Sequence, residues 1–453
     1  MPQMMGSRFN FPSLMGAYLA VNAIPDAAIV VDGPDCALYK AHFIFGRHDL
    51  RSTLLDINGK HRVCFTNICA QGATKNHSEP ILRRLRLLDE MASVGMILLT
   101  ALPGCSLTGV DYEHLLRSVG SAMKKPSLAV PPISLTGDWL DGYAVVLRAL
   151  ARHLDLSGGR QKPENVALVG YLMDRNEGDH AANLRELRRI LKALGLNLVS
   201  VWLDSEPHEA LCHVKDARWI ISLPYGSEAA REISKKTGAQ LIETWLPFGL
   251  EATERWVRQI AEATGKSREA LTLLRHERAN ALDRLEWIVP HLFLHRTAAF
   301  LGDPFLREGF EGICNELGMH LRTCLLASHE GRTNGTPRNG ASEIVHEPDI
   351  YHPAVQQLAA EKIDLVVSNT NDIVSLIQRP DTALVEIGFP SYFHHALADS
   401  PYLGFTGFLA FVERLADALN SKRRDMIRES MKKNLESANY AIDASSALPK
   451  RAR

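Results

Sequence analysis

Apolar runs four to nine residues long recur along the chain, separated by stretches with the spacing of amphipathic helices. In the first third they are AAIVVDGP (27–34), VGMILLTAL (94–102) and PSLAVPPI (126–133), with helical patterns at EPILRRLRLLDEMAS and DWLDGYAVVLRALARHL. A polar stretch, SGGRQKPE (157–164), marks a boundary. A second series follows: NVALVGYL, the helix HAANLRELRRILKALG, then LNLVSVWL, ARWIISLP and AQLIETWLP. A helical stretch over 251–289 leads to a third series: RTAAFLGDP, MHLRTCLLAS, DLVVSNT and ALVEIG. Short apolar runs alternating with helices predict βαβ units and parallel sheets. The expected fold is α/β: three doubly wound, Rossmann-like domains over 1–160, 161–290 and 291–453. HEGRTNGTPRNGASE (329–343) reads as a loop or insertion, and the tail from about 420 as a charged amphipathic helix with a frayed basic end. In such sheets ligands sit beyond the carboxyl ends of strands.

Composition narrows the function classes. The chain of 453 residues is 46% hydrophobic with a formal net charge of −1, which gives no electrostatic reason to expect nucleic acid or anionic lipid as a partner. The brief apolar N-terminus predicts no signal peptide, and no run reaches the roughly eighteen apolar residues of a membrane span. An odd number of cysteines, 7, in a large chain argues against a disulfide framework and for the cytoplasm. Four of them, Cys36, Cys64, Cys69 and Cys105, fall in the first quarter. Buried free cysteine is also simply a small hydrophobe, and Cys212, Cys314 and Cys324 sit in apolar contexts that suit that role.

Each of three key cysteines follows a strand-like run: Cys36 closes AAIVVDGPDC, Cys64 lies in HRVCFTN, and Cys105 closes VGMILLTALPGC. Parallel strands end on one edge, so separations of 28 and 41 residues still allow the thiols to converge. Gly33–Pro34 and Pro103–Gly104 allow tight turns before a bulky ligand. Thiolates are the expected ligands of iron–sulfur clusters. Three cysteines leave a cubane one ligand short, so the missing ligand comes from another residue type or another chain. TGKS (264–267) is not a phosphate loop: the glycine required four residues before Gly265 is Ile260, and no ATP site is expected. The His pairs at 291–295 and 394–395 lack the partners of a zinc site.

The chain resembles component 1 of nitrogenase, most of all its β-type subunit, over nearly its whole length. GPDC (33–36), VCFTN (63–67) and ALPGCSLTGVD (101–111) are similar to the family's three cysteine segments, and ISLTGDWLDGYA (133–144) to its serine segment. SLPYGSEAAREISKKTGAQLIETWLPFGLEATERW (222–256) and EIGFPSYFHHALADSPYLGFTGF (386–408) resemble two later phrases. The resemblance implies an iron–sulfur cluster, P-cluster-like with eight irons or 4Fe–4S, shared with an α-type partner in an α2β2 assembly. Its ligands here would be Cys36, Cys64 and Cys105, with Ser134 touching an oxidised cluster unless it only caps a helix. Cys69 and His394 are further ligand candidates. An ATP-dependent iron protein would deliver the electrons, and the partner would hold the metallocofactor. Where a cofactor-anchoring α-type chain has cysteine, SLPYGSE has Gly226. NICAQGATKN departs from true nitrogenase β subunits, Cys64 departs from cofactor-assembly scaffolds, and the tetrapyrrole reductases differ around the first cysteines. What is left by elimination is a methylthio-alkane reductase, which cleaves carbon–sulfur bonds of small thioethers. A scaffold without turnover, a nitrogenase β subunit and a tetrapyrrole reductase subunit are the alternatives.

Overall fold

The computed structural model describes residues 11–68, 78–133, 137–330 and 343–446, the last ten by backbone alone. Its strands form three parallel sheets. The first holds β1 (Ala27–Asp32), β2 (Val63–Phe65), β3 (Met96–Ala101) and β4 (Ser127–Ala129) in the order β2-β1-β3-β4. The second holds β5 (Lys162–Val169), β6 (Asn197–Val201), β7 (Ala217–Ser222) and β8 (Gln240–Glu243) in the order β6-β5-β7-β8. The third holds β9 (Thr297–Gly302), β10 (His320–Leu326), β11 (Glu343–His346), β12 (Leu365–Ser368) and β13 (Ala383–Glu386) in the order β11-β10-β9-β12-β13. Every pairing is parallel. Chain order reverses beside β1, β5 and β9, so each sheet has a switch point where crossover loops part and leave a crevice.

The central strands are covered on both faces. In β1 every residue is buried; Ala27, Ile29 and Val31 pack into one apolar cluster, Ala28 and Val30 into another. β9 divides likewise, with Ala298 and Phe300 on one side and Ala299 and Leu301 on the other. This two-sided burial explains the unbroken apolar runs.

Three departures from the sequence reading affect the site. Residues Ser13–Asn22 form a helix, buried except at its first residue, where the sequence suggested only a brief apolar stretch. It crosses helix Trp139–His153 so closely that a Cβ on Gly16 would lie 1.6 Å from the Trp139 carbonyl oxygen, and one on Gly142 1.7 Å from that of Ser13. β11 pairs with β10 at the end of the stretch read as a loop. The final helix starts at Gly404, not near 420, because Phe405, Phe408, Phe411 and Leu415 bury a first apolar portion ahead of its charged part.

A cysteine-lined rim on the first sheet

β1 and β3 pair in register from Ala27–Met96 to Asp32–Ala101. Each then turns into a short helix, Cys36–Ala41 after β1 and Pro103–Ser106 after β3. Cys36 and Cys105 therefore each stand four residues past the last paired position of two adjacent strands, on either side of the switch point. Cys36 is half-buried and Cys105 buried. Cys64, expected to follow a strand, instead lies within β2 opposite Val30, half-buried against the apolar cluster that also contains Cys105.

The electrostatics tie the three together. Burial pushes the Cys105 thiol up, and Asp32 and then Cys36 add to the shift. Burial also raises the Cys64 thiol, against the pull of Arg84. The Tyr18 hydroxyl, held far above its ordinary range by burial, lies in the field of both Cys36 and Cys64 and donates to the Ala37 carbonyl at 2.8 Å. The three sulfurs are not all within 4.8 Å of one another, and soft thiolates are the donor type that iron–sulfur groups take.

Beneath the rim lies a polar lock not anticipated from the sequence. Asp32, fully buried at the end of β1, accepts from the Thr66 hydroxyl at 2.7 Å and the Tyr112 hydroxyl at 2.8 Å. The Gly33 amide donates to Thr66 Oγ1 at 2.9 Å, and the Asn67 amide to the Gly33 carbonyl at 2.9 Å. These bonds fix the turn that presents Cys36. The readable clue was an aspartate closing an otherwise apolar strand just before Gly-Pro. The rim also carries apolar groups in solvent: Tyr39, three residues from Cys36, is 58% exposed, and Leu107, two from Cys105, is 86% exposed.

Ser134 and Cys69 lie outside the described residues. Cys314 and Cys324 are buried in the core, and Cys212 is half-buried. Gly265 is the left-handed cap ending helix Leu250–Thr264, so TGKS joins two helices and does not follow a strand. His295 stacks on His320 with centroids 5.9 Å apart. Gly226 meets Gly170 at the second switch point, where a Cβ would fall 2.7 Å from the Gly170 Cα.

His394 and His395 belong to a buried charge cluster linking all three sheets. His48 accepts from the Ser391 amide at 2.9 Å through Nδ1, and its Nε2 faces the Asp174 carboxylate at 3.7 Å. His180 Nε2 pairs with the same carboxylate at 2.5 Å. Arg175 pairs with Asp179 and Glu177 and donates to the His394 carbonyl at 2.7 Å. His395 pairs with Glu177 at 2.7 Å. Burial, with Arg414 and Arg175 nearby, lowers the His394 imidazole to about 4. A ring between two guanidiniums is poorly placed to attract a cation. The clue was the density of charge in MDRNEGDH directly after β5.

The sequence matches the family described as nitrogenase component 1 type oxidoreductase over residues 12–420. The chain belongs to that family. Among its curated relatives is the nitrogenase vanadium-iron protein beta chain of Trichormus variabilis, 24% identical over 70% of this chain and 74% of the relative. Another, the nitrogenase molybdenum-iron protein beta chain of Rippkaea orientalis, is 22% identical over 63% of this chain and 59% of the relative. A solved structure titled "Nitrogenase Cp1 at pH 6.5" superposes with a TM-score of 0.75 at 18% identity, covering 93% of this chain and 94% of that one. The likeness to β chains makes this a β-type member, and the shared architecture is the component 1 fold. Among the described residues no helix is long and apolar enough to cross a membrane.

Proposed function

We propose that the chain is the β-type subunit of a nitrogenase-like reductase and that it holds an iron–sulfur cluster at the seam with an α-type partner. The observation that carries this reading is that Cys36 and Cys105 each follow, four residues on, the last paired residues of the adjacent strands β1 and β3, beside exposed Tyr39 and Leu107. Cysteines stand past the strand ends, and exposed apolar groups lie beside them where a second polypeptide would cover them.

In this reading Cys36 and Cys105 are the principal thiolates and Cys64, within β2, the third. A cluster there, P-cluster-like or 4Fe–4S, supplies one-electron storage between an ATP-dependent iron protein and a metallocofactor held by the partner. Asp32, Thr66 and Tyr112 fix the backbone that presents the first cysteine. Tyr18 closes the inner side, and burial limits water, both of which bear on the potential of such a site. Since burial raises the thiols of Cys64 and Cys105, binding releases their protons and strengthens as pH rises. The Gly226–Gly170 contact leaves no room for a side chain at the position of a cofactor-anchoring cysteine, which favours a relay role over an anchoring one. For the substrate we favour carbon–sulfur bond reduction of a methylthio-alkane, with the two subunits as an α2β2 assembly.

The test is anaerobic purification of the chain co-expressed with its partner, followed by iron and sulfide analysis and turnover with a cognate iron protein and ATP. A reductase consumes ATP and releases methanethiol from a methylthio-alkane. Iron without turnover on any thioether would leave a scaffold role in its place.

A further inference from the structure

A narrow cleft lies between elements of the second and third sheets, lined by none of the rim cysteines. Trp245 and Leu246 border it just past β8, Ala252, Arg255 and Trp256 from helix Leu250–Thr264, and Glu308 from helix Pro304–Glu316. About 240 Å³ within it is free of atoms, part of that open to solvent. The enclosed part takes about one water-sized group.

The two indoles imply an occupant. Trp256 is 1% exposed, and its Nε1 has no hydrogen-bond partner among the described residues. Trp245 Nε1 is likewise buried without a partner, although its ring packs edge-on against Phe305 with centroids 5.5 Å apart. An indole nitrogen can only donate, and buried donors are normally paired. Two orphan donors on rings that border one cleft call for an acceptor in that cleft. Arg255 adds charge. It donates through Nη1 to Glu308 at 2.7 Å, which ties the two helices together and leaves its other N–H groups for a ligand. Leu246 and Ala252 supply apolar wall.

We propose that this cleft binds a small monocarboxylate. Its two oxygens accept from the two indoles, its charge is met by Arg255, and its short alkyl chain lies against Leu246 and Ala252. A carboxylate only accepts, and its two oxygens carry about four lone-pair sites, so one group serves both indoles at once. Its charge-assisted bonds are about twice as strong as those of a neutral acceptor. The narrow enclosed part suits a carboxylate head and excludes a ring. The bound ligand adds to the Arg255–Glu308 tie between the two helices and shares no residue with the cysteine rim.

Sodium propionate is the probe. The full-length chain, isotopically labelled at the indole nitrogens of its 6 tryptophans, is titrated while the indole N–H resonances are followed. Ligands this small bind weakly, so the titration runs to about 50 mM, with sodium chloride as the ionic-strength control. Two indole proton signals should move to lower field and saturate together, and Trp245→Phe and Trp256→Phe should each remove one of them. Arg255→Gln should raise the dissociation constant at least about tenfold. Propanol, which keeps the alkyl chain and lacks the carboxylate, should move neither signal. The Cys36→Ala/Cys105→Ala variant should bind propionate unchanged, which separates this site from the rim. The Arg255 side chain is 38% exposed, so Arg255→Gln still decides if a tryptophan variant does not fold. Absence of saturable shifts, the same shifts with chloride or propanol, or unchanged affinity in Arg255→Gln would overturn the proposal.

Discussion

Arg175→Met isolates the charge cluster at the centre of the molecule. Arg175 and its partners Asp179 and Glu177 are each about 95% buried at their side chains. The guanidinium donates through Nε to Asp179 Oδ2 at 3.1 Å, faces Glu177 Oε2 at 3.5 Å and reaches the His394 carbonyl at 2.7 Å. At an effective dielectric near 20, attraction at 3.5 Å is roughly 5 kcal/mol per pair, set against a desolvation cost of several kcal/mol per ion. The net worth of the intact cluster is therefore small. Removing the cation takes the guanidinium from two buried carboxylates, of which Glu177 keeps only His395 and the Ala396 amide, and such losses run to about 3–5 kcal/mol. Urea unfolding at pH 7.5 should show a loss of about 4 kcal/mol. The loss should shrink as pH falls and Asp179, held low against burial by His180 and Arg175 in the wild type, takes up a proton. The Ala396 amide, which donates to Glu177 at 2.8 Å, should exchange faster with deuterium. Adding Asp179→Leu should restore part of the stability, because it removes a stranded charge. A loss under about 1 kcal/mol in Arg175→Met, or a double variant worse than the sum of the singles, would refute the reasoning.

Gly142→Ala places a methyl group against the Ser13 carbonyl; it should destabilise by about 3 kcal/mol in urea and lower iron loading by shifting the helix that carries Tyr18. Burial raises Glu316 from 4.5 to about 7, and burial with Glu206 raises Asp204 from 3.8 to about 6. Both acids hold protons in the native state that the unfolded chain has released, so their contribution should weaken as pH rises from about 4 to 7; Glu316→Gln should flatten that part of a stability-against-pH profile. Tyr112→Phe deletes one of the hydroxyls on Asp32 and should cost about 1–3 kcal/mol while broadening any paramagnetic signal from the rim.

The strands were legible where they are buried on both faces. AAIVVD, MILLTA and TAAFLG are apolar apart from Asp32, Thr100 and Thr297 because helices cover both sides of the sheet, and each lies inside the run that predicted it. β2 and β11, only three and four residues long, are held by one neighbour each and carry little pattern of their own. Cys36 and Cys105 could be placed from sequence because each follows a central strand and a Gly/Pro turn. Cys64 could not, since its place within β2 depends on the β1–β2 register, which its local sequence does not encode. The charge cluster was invisible for a related reason. His48, Asp174 and Ser391 are far apart in sequence and look like surface residues until three sheets meet. The glycines at 16 and 142 likewise have meaning only as a pair, where two helices touch backbone to backbone.

On the function proposed above, this chain holds an iron–sulfur cluster on the rim of its first sheet, with a partner subunit across it. The decisive measurement is the electron paramagnetic resonance spectrum of the anaerobically co-purified complex, recorded dithionite-reduced and again after stepwise oxidation, with iron and sulfide analysed on the same samples. The wild type and Cys324→Ala should share one cluster signal and equal iron, whereas Cys36→Ala, Cys64→Ala and Cys105→Ala should lose both. Full iron and an unchanged spectrum in Cys36→Ala and Cys105→Ala would contradict the account.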